Sequence, residues 1–432
     1  MATSPRTWLP ALLAVSVLGL VACGDDDDDG GGGEPTGEQA SLELVIGDLV
    51  PLTGDLSDFG PPGRKAADLA VQEIRQAAKE AGADHQVRIT HEDTQTQPQA
   101  SVQAARKAVA EGASCIAGAW ASADTIPVAR SVTIREEILQ ISPASTSDEI
   151  TGLDDDGLVN RTAPPDSFQG PALATVVAED LGGAEGMVVN IGARNDAYGT
   201  GLADTFSEAW EEQGGTIGQR VIYDPQQPSY NSEAAQIVRG NPDAFVIIDF
   251  PETFSKVGPA LFRTGNWDPS KTWVTDGLKS GSLPEDVGRK VVEGMRGTAP
   301  GVPDESAAAG AFDTLFTEAP GPERQTFDAQ NFDAVMLCYL AAVAAGSTEG
   351  ADMAEQVRAV SGPGGEQFTW EELPQAIEAL ERGDDIDYQG ASGPIDLNRD
   401  GDPTAGVYDI FLYEGGDVRN VDEVPLEGAS SE

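Results

Sequence analysis

The chain has 432 residues, 40% of them hydrophobic, and its 73 acidic residues against 26 Lys and Arg residues give a formal net charge of −47. This excess of negative charge excludes nucleic acid as a partner, because nucleic-acid binding needs a basic surface, and it equally excludes binding to an anionic membrane through surface charge. The length exceeds that of one typical domain and predicts two.

The first 23 residues have the layout of a secretory signal. Arg6 precedes a mostly apolar run, residues 9–21, which is shorter than the roughly 20 residues that a membrane span needs. The run ends at Ala22 and Cys23, which resemble the lipobox of bacterial lipoproteins, where the cysteine is lipidated and becomes the first mature residue. We therefore expect residues 1–23 to be a lipoprotein signal and Cys23 to anchor the protein, outside the cytoplasm, to a bacterial membrane. An ordinary signal cleaved elsewhere and an uncleaved anchor are the alternatives.

Residues 24–40 are predicted to form a disordered tether. Five aspartates, Asp25 to Asp29, are followed by four glycines, so the segment cannot bury apolar area and its like charges repel one another. A metal-binding acidic tract is the alternative, but carboxylates without fixed geometry hold divalent ions only loosely. The folded body is expected to begin near Ser41.

The body alternates predicted strands with predicted helices. In the first unit we predict strands at residues 42–50, 86–90, 115–119 and 138–142 and helices at residues 63–81, 98–111 and 124–136. In the second unit we predict helices at residues 166–180, 198–213, 232–239 and 254–264 and strands at residues 186–191, 216–223, 244–250 and 272–275. Such alternation is typical of parallel sheets with helices on both faces. The predicted fold class is therefore α/β, with two doubly wound lobes and a hinge near residues 160–165.

The last third of the chain has too few strands for a third domain. We predict a strand at residues 291–297, helices at residues 307–317, 326–345, 352–360 and 370–381, and short strands at residues 395–396 and 406–413. These elements are expected to add helices and edge strands to the first two units.

Signals for metals and cofactors are weak. Glu92 and Asp93 follow His91, but His85 and His91 are six residues apart, do not share one helical face and are supported by no third-ligand pattern, so we expect a surface or strand-end position for His91. Residues 396–401 imitate the start of a calcium loop, but Val407 stands at the twelfth position, where a bidentate acid is required, so we predict a turn. We expect no metal and no cofactor.

The cysteines of the body, Cys115 and Cys338, are far apart and match no metal-ligand spacing. An exported pair could form a disulfide. Both residues lie in apolar surroundings, however, and we therefore expect two buried free thiols.

Catalytic signals are mostly absent. There is no dinucleotide-type glycine turn after the first strand, no phosphate-loop lysine and no serine in a hydrolase elbow. An exported enzyme would need a nucleophile paired with a base, and no such pair is evident. We expect no catalytic residue and no enzymatic activity.

Short polar sequences follow the predicted strands instead. They are Thr53–Gly54 with Phe59–Gly60, Trp120–Ser122, Ser142–Thr146, Asp196–Gly199, Phe250–Glu252 and Thr275–Gly277. In open α/β sheets, ligands bind just beyond the carboxyl ends of the strands. Two such sheets facing each other predict a cleft that closes on a small molecule.

These sequences, in this order, make residues 42–413 resemble the substrate-binding lipoproteins of ABC transporters, in the branched-chain amino acid (Leu/Ile/Val) family with the type I periplasmic-binding fold. The best matches are residues 141–151, 196–203, 292–298 and 388–413. The resemblance implies three crossovers between the lobes. Lobe 1 would hold residues 41–163 and 301–388, lobe 2 residues 164–300 and 389–415, and residues 416–432 would form a tail.

The resemblance also implies roles for polar residues. The hydroxyl of Ser122 and the backbone N–H of Thr146 would bind a ligand carboxylate. The hydroxyl of Thr146, the carbonyl oxygen of Ala144 and the carboxylate of Asp276 would bind its ammonium group. The family often has the longer glutamate in place of Asp276, and the alternative for Asp276 is a helix cap.

Aromatic residues complete the implied site. Tyr198 matches the aromatic gate of lobe 2, while Phe59 and Phe250 stand where tyrosines are common. With Trp120, they make the cleft less polar and indicate an apolar or aromatic ligand side chain. Trp120 and Phe250 could also be ordinary core residues.

The expected function is capture of an amino acid, or of a similar small zwitterionic or amide ligand, by lobe closure, followed by delivery to an ABC permease. Hydroxyls, backbone N–H groups and one acid suit a zwitterion whose charges must both be paired once buried. We expect the protein to act as a monomer. The alternative is a ligand-sensing receptor lobe that serves a separate signalling partner.

Overall fold

The computed structural model describes residues 41–303 and 306–425; the predicted lipidation of Cys23, the signal at residues 1–23 and the tether at residues 24–40 lie outside them. The strands are β1 (Leu42–Val50), β2 (His85–Asp93), β3 (Cys115–Ala117), β4 (Leu139–Ser142), β5 (Val159–Arg161), β6 (Val188–Arg194), β7 (Thr216–Tyr223), β8 (Ala244–Ile248), β9 (Thr272–Val274), β10 (Arg296–Pro300), β11 (Glu366–Thr369), β12 (Ile386–Gly390), β13 (Gly393–Pro394), β14 (Val407–Glu414) and β15 (Asp417–Pro425). The helices are α1 (Gly60–Ala81), α2 (Pro98–Ala110), α3 (Ser122–Val128), α4 (Asp148–Thr151), α5 (Asp166–Leu181), α6 (Ala197–Glu212), α7 (Asn231–Ile237), α8 (Pro251–Arg263), α9 (Leu283–Val287), α10 (Arg289–Val292), α11 (Ala307–Glu318), α12 (Asp328–Ala345), α13 (Gly350–Ser361) and α14 (Leu373–Glu381).

Two sheets organise the fold. The first has the strand order β2-β1-β3-β4-β5 and is parallel throughout. The second has the order β15-β14-β10-β9-β8-β6-β7, and it is parallel from β10 to β7. At the other end of this sheet, β14 pairs with β10 in the antiparallel direction, and β15 pairs with β14 in the antiparallel direction. The predicted α/β class with two doubly wound lobes is confirmed.

The burial of the strands explains why they could be predicted from the sequence. Strands of parallel sheets are covered by helices on both faces and therefore form continuous apolar runs. In β8, for example, every residue is buried. Helix α12 is buried from Asp328 to Val343 and lies in the core of lobe 1. Of the described residues, no single helix is long and apolar enough to cross a membrane, although α12 and α13 together, as a bent pair, meet that test by length and composition.

Three predicted elements differ from the structure. The strand predicted at residues 291–297 is helix α10 followed by β10, because Gly294, with a φ of +87°, turns the chain between them. The helix predicted at residues 124–136 passes into a π-helical turn, Ala129–Thr133, just after Pro127, which lacks a backbone N–H. In place of the strand predicted at residues 395–396, the structure has β13 at residues 393–394. The segment predicted to be a tail, residues 416–432, contains strand β15. Residues 426–432 of that segment lie outside the described part of the chain.

The chain passes between the lobes three times: between β5 and α5, between β10 and α11, and between β13 and β14. Buried hydrogen bonds hold these crossovers. Arg161 donates to Asp402 at 2.6 Å and so joins the first crossover to the third. The carboxylate of Asp333, on α12, accepts the backbone N–H groups of Ala391 and Ser392 at 2.9 and 2.7 Å. The first and third crossovers are thus fixed to lobe 1 by charged groups out of contact with water.

Cys115 and Cys338 form a disulfide, so the expectation of two free thiols was wrong. Helix α12 packs directly on β3, which places the two Cα atoms 5.9 Å apart. This distance is within the range that a disulfide requires. Apolar surroundings indicated burial correctly but say nothing about whether two buried sulfurs are neighbours.

His91 lies near the end of β2, as expected, but it is largely buried between two acids. Its Nδ1 is 2.7 Å from an oxygen of Asp48, and its Nε2 is 3.0 Å from an oxygen of Asp68. Although burial alone would lower the pKa of His91, these two carboxylates raise it to about 9. His91 is therefore a positively charged link between β1, β2 and α1 at neutral pH.

This link predicts a pH-dependent stability. Because the pKa of His91 is higher in the folded chain than its unfolded value of about 6.5, its contribution is complete below pH ~6.5 and is lost as the pH rises through about 9. We expect the free energy of unfolding in urea to fall by roughly 2 kcal/mol over this interval, since Asp68 is half-exposed and partly screened. A His91→Gln variant should lack this decrease, and an identical decrease in the variant would contradict the assignment.

Candidate functional site

The carboxyl ends of the two sheets face each other across a cleft. A cavity there is lined by seven of the eight predicted ligand-binding residues: Phe59, Trp120, Ser122, Ala144, Tyr198, Phe250 and Asp276. Leu56, Ala121, Gly277 and Phe327 complete the lining. The eighth, Thr146, is not among the lining residues, but it is fully buried, and within the described part of the chain its hydroxyl has no hydrogen-bond partner.

Lobe 1 supplies the Ser122 hydroxyl and the loop from Ser142 to Ser147. Ser122 is the first residue of α3, and its hydroxyl accepts the backbone N–H of Ser147 at 3.2 Å. Arg161, fully buried, donates to the carbonyl oxygens of Ser145 and Ser147 at 3.2 and 2.9 Å. These bonds hold the loop from Ser142 to Ser147, which carries Ala144 and Thr146, in one conformation.

Lobe 2 supplies an acid. Asp276 follows β9 and is 2% exposed; one of its oxygens accepts from the side-chain amide of Gln169 at 2.8 Å and from the hydroxyl of Tyr198 at 2.9 Å. Burial raises the pKa of Asp276 to about 6, although both hydrogen bonds act in the opposite direction. Asp276 is therefore mostly ionised at neutral pH, and a cationic group in the cleft would favour its ionised form.

The aromatic residues form the walls. Phe250 stacks on Tyr198 with ring centroids 5.1 Å apart, and the guanidinium of Arg194 lies 3.7 Å from the centre of the Phe250 ring. Trp120 meets Phe327 edge to face, and its indole ring occupies the space that a Cβ on Gly63 would fill. Trp120 and Phe250 thus pack in the hydrophobic core and also line the cavity. Both interpretations from the sequence, a residue of the ligand site and an ordinary core residue, describe part of their position.

Asp166 was missed in the sequence. It is the first residue of α5 and fully buried; among the described residues no donor lies in hydrogen-bonding geometry to its carboxylate oxygens, although the Thr146 side chain is close enough to oppose the rise in its pKa. Its backbone N–H donates to the carbonyl oxygen of Thr146 at 2.7 Å, so it lies next to the predicted ammonium-binding residues. Burial, and then the charge of Asp276, raise its pKa well above the usual value. Its position in the sequence could have indicated a role in the site, because Asp166 directly follows Pro164–Pro165 and begins the helix that comes after the first crossover.

The lobes are closed on each other in this structure. Asp55 of lobe 1 accepts from Arg194 and Thr253 of lobe 2 at 3.0 and 3.2 Å, and Gln226 donates to Gln97 at 3.0 Å. The space left in the cavity is about 10 Å³, roughly what one water molecule needs. Any larger ligand can enter only after the lobes separate.

Within residues 41–303 and 306–425, no group of three His, Cys, Asp or Glu side chains is arranged to hold a metal ion. His85 contacts Tyr339 and Glu381 instead. The segment that imitates a calcium loop is a turn, in which Asn398 accepts the backbone N–H groups of Asp400 and Asp402. The carboxylate of Asp402 is bound to Arg161.

Comparisons with known proteins agree with this geometry. A family model described as Periplasmic binding protein matches residues 43–381. The chain is 25% identical over 385 residues to the chemotactic signal transduction system substrate-binding protein BasB of Halobacterium salinarum, covering 87% of this chain and 89% of BasB. Among solved structures, the leucine-binding protein LivK of Thermotoga maritima superposes with a TM-score of 0.71 at 23% identity, covering 88% of this chain and 98% of LivK. A solute-binding protein of an ABC transporter from R. palustris, solved with benzoate, gives 0.66 at 19% identity, covering 88% and 96%.

Proposed function

Because the chain belongs to the periplasmic binding protein family, we propose that it captures a small ligand with both a carboxylate and an ammonium group, an amino acid or a close analogue, by closure of its two lobes. The observation that carries this proposal is the meeting of Ser122 and Ala144 from lobe 1 with Tyr198 and Asp276 from lobe 2 around one cavity. A ligand that contacts both lobes stabilises their closed arrangement.

The charge of the site favours an ammonium group over a simple aromatic acid. A buried ion is costly unless it is paired, and Asp276 has neutral donors but no cation among its contacts. An ammonium group would provide that cation. Benzoate, which the R. palustris protein binds, would instead add a second negative charge near Asp276 and Asp166. Apolar walls formed by Phe59, Trp120 and Phe250 suit a branched or aromatic side chain.

The proposed role is that of an extracytoplasmic solute-binding protein that delivers its ligand to an ABC permease. In this proposal a lipid on Cys23 keeps the protein, as a monomer, at the membrane where the permease lies. The dissociation of the ligand would follow the opening of the lobes at the permease. No step of this cycle requires a nucleophile, a metal or a cofactor.

A second candidate function is ligand sensing. It is favoured by one observation, the similarity to BasB over 87% of this chain, since the name of BasB places it in a chemotactic signal transduction system. Capture of the ligand would be the same in both cases. The two functions differ in the partner that recognises the closed lobes, a permease or a signalling receptor.

The first test is a thermal-shift panel. Amino acids, amides, urea and aromatic acids, benzoate included, are each added to the purified protein at increasing concentration. A ligand at a hundredfold excess over its Kd should add about 2.7 kcal/mol to the stability. We expect the largest rise in Tm with an apolar or aromatic α-amino acid. A rise with benzoate but with no amino acid would contradict the proposed ligand class.

A further inference from the structure

A second chamber lies between the lobes at the mouth of the cleft. Its walls come from both lobes, close to the ends of β2 and β7, the edge strands on the side away from the crossovers. Its volume is about 190 Å³, enough for several water molecules or a hydrated ion. It shares only Ala121 with the lining of the cavity described above.

The chamber has more acids than bases in its walls. Four carboxylates line it, those of Asp55, Asp124, Asp196 and Asp224, against the single guanidinium of Arg194. Arg194 is already engaged, since it lies 3.0 Å from Asp55, 2.5 Å from Asp196 and 3.6 Å from Asp249, an acid behind the wall. Its charge is therefore shared among three carboxylates, none of which is Asp124.

Asp124 is the group without a partner. It is 1% exposed, and neither of its carboxylate oxygens accepts a hydrogen bond from any residue that the structure describes. The hydroxyl of the neighbouring Ser101 donates to the carbonyl oxygen of Gln97 at 2.9 Å. Burial raises the pKa of Asp124 to about 7; the nearby Ser101 side chain and the charge of Arg194 oppose this rise, and the charges of Asp196 and Asp55 add to it. A buried carboxylate without a donor or a cation is costly, and natural proteins seldom keep one.

We propose that this chamber binds a small monovalent cation, either an alkali ion or ammonium, with Asp124 as its anionic partner. A cage for a divalent ion does not fit, because the described residues contain no group of three acids arranged around one point. Water and backbone carbonyl oxygens would complete the shell, as alkali ions accept. Because both lobes line the chamber, the bound cation favours their closed arrangement. A proton on Asp124 is its natural competitor.

The test uses the purified protein without any amino acid, so its outcome is separate from that of the thermal-shift panel. Tm is measured in KCl, NaCl, NH₄Cl or N-methyl-D-glucamine chloride at one constant ionic strength, because a chain of charge −47 is stabilised by any salt. We expect at least one small cation to raise Tm by about 2 °C over the bulky one, which corresponds to a tenfold excess over its Kd. Comparison of the salts shows which cation is preferred. The rise in Tm should be larger at pH 8 than at pH 6, because a proton on Asp124 competes with the cation.

Asp124→Asn should abolish the difference between small and bulky cations. The matched control is Asp154→Asn, the same change of charge at an exposed position of lobe 1, which should keep it. If Asp124→Asn does not fold, Ala123→Met, which keeps every charge but fills the chamber, replaces it and should also abolish the difference. Equal Tm values in all four salts, or a difference that survives the chamber variants, would overturn the proposal.

Discussion

Asp276→Asn is expected to weaken the binding of an α-amino acid by about a hundredfold. The asparagine keeps the size of the side chain, and its carbonyl oxygen can still accept from Gln169 and Tyr198. What it removes is the negative charge opposite the ammonium group. Loss of one partner from a buried charge pair typically costs about 2–5 kcal/mol, and about 2.8 kcal/mol corresponds to a factor of a hundred in Kd.

The same substitution should leave the unliganded protein at least as stable as the wild type. Burial raises the pKa of Asp276 to about 6, so its ionised form is disfavoured in the fold and is not a source of stability at neutral pH. Isothermal titration calorimetry with the amino acid found in the thermal-shift panel gives Kd, and urea unfolding gives the stability. A lower affinity at unchanged stability identifies a ligand-binding residue rather than a structural one.

Asp154→Asn serves as the control here too, because it makes the same charge change at an exposed site. Asp166→Asn tests the second acid. If both acids contact the ammonium group, Asp166→Asn also weakens binding; if Asp166 only lies beside Asp276 without touching the ligand, it does not. Unchanged affinity in Asp276→Asn would contradict the pairing of this acid with the ligand.

Removal of the disulfide is expected to have the largest effect on stability. The bond joins residues 223 positions apart, and closure of so long a loop in the unfolded chain corresponds to about 5 kcal/mol in the chain-entropy model. The double variant Cys115→Ala, Cys338→Ala also loses two buried sulfur atoms between β3 and α12. We expect it to unfold at a markedly lower urea concentration than the wild type.

Both cysteines lie in the core of lobe 1, away from the cleft, so amino acid affinity should change by no more than a few-fold in the variant below its unfolding transition. A wild-type sample reduced under mildly denaturing conditions should unfold at the same urea concentration as the double variant. An unfolding free energy within about 1 kcal/mol of the wild-type value would show that the disulfide is not a significant source of stability.

The features that local sequence determines were predicted well. The continuous apolar run of β1 reflects burial of the strand on both faces, and the periodic apolar positions of α1 reflect burial of one face of the helix. Both patterns can be recognised from a few neighbouring residues. The polar sequences after the strands were found for the same reason, since the carboxyl ends of parallel strands meet at one edge. Seven of the eight residues chosen in this way line the cavity, and their roles in binding a ligand stay predictions.

The remaining features depend on distant neighbours. The partner of Cys115 is 223 positions away, and only the packing of α12 on β3 brings it close. In the sequence, Asp166 and Asp124 are ordinary acids in the first turn of a helix. Only the surrounding structure shows that, among the described residues, their carboxylates have no hydrogen-bond partner. The boundary of β10 depended on a single glycine, Gly294, with a positive φ. Closure of the lobes likewise rests on pairs such as Asp55 with Arg194.

Closure of the lobes around a ligand can be followed through a distance between the lobes. Spin labels on Gln99→Cys and Ser229→Cys would sit at exposed positions on the two sides of the cleft mouth, close to the contact between Gln97 and Gln226. Double electron–electron resonance then gives the distance between them with and without the amino acid. We expect a broad distribution of distances without ligand, and a narrower distribution at shorter distances when the protein is saturated with the amino acid. An identical distribution in both states, with binding verified by calorimetry in the labelled protein, would contradict closure of the lobes around a ligand.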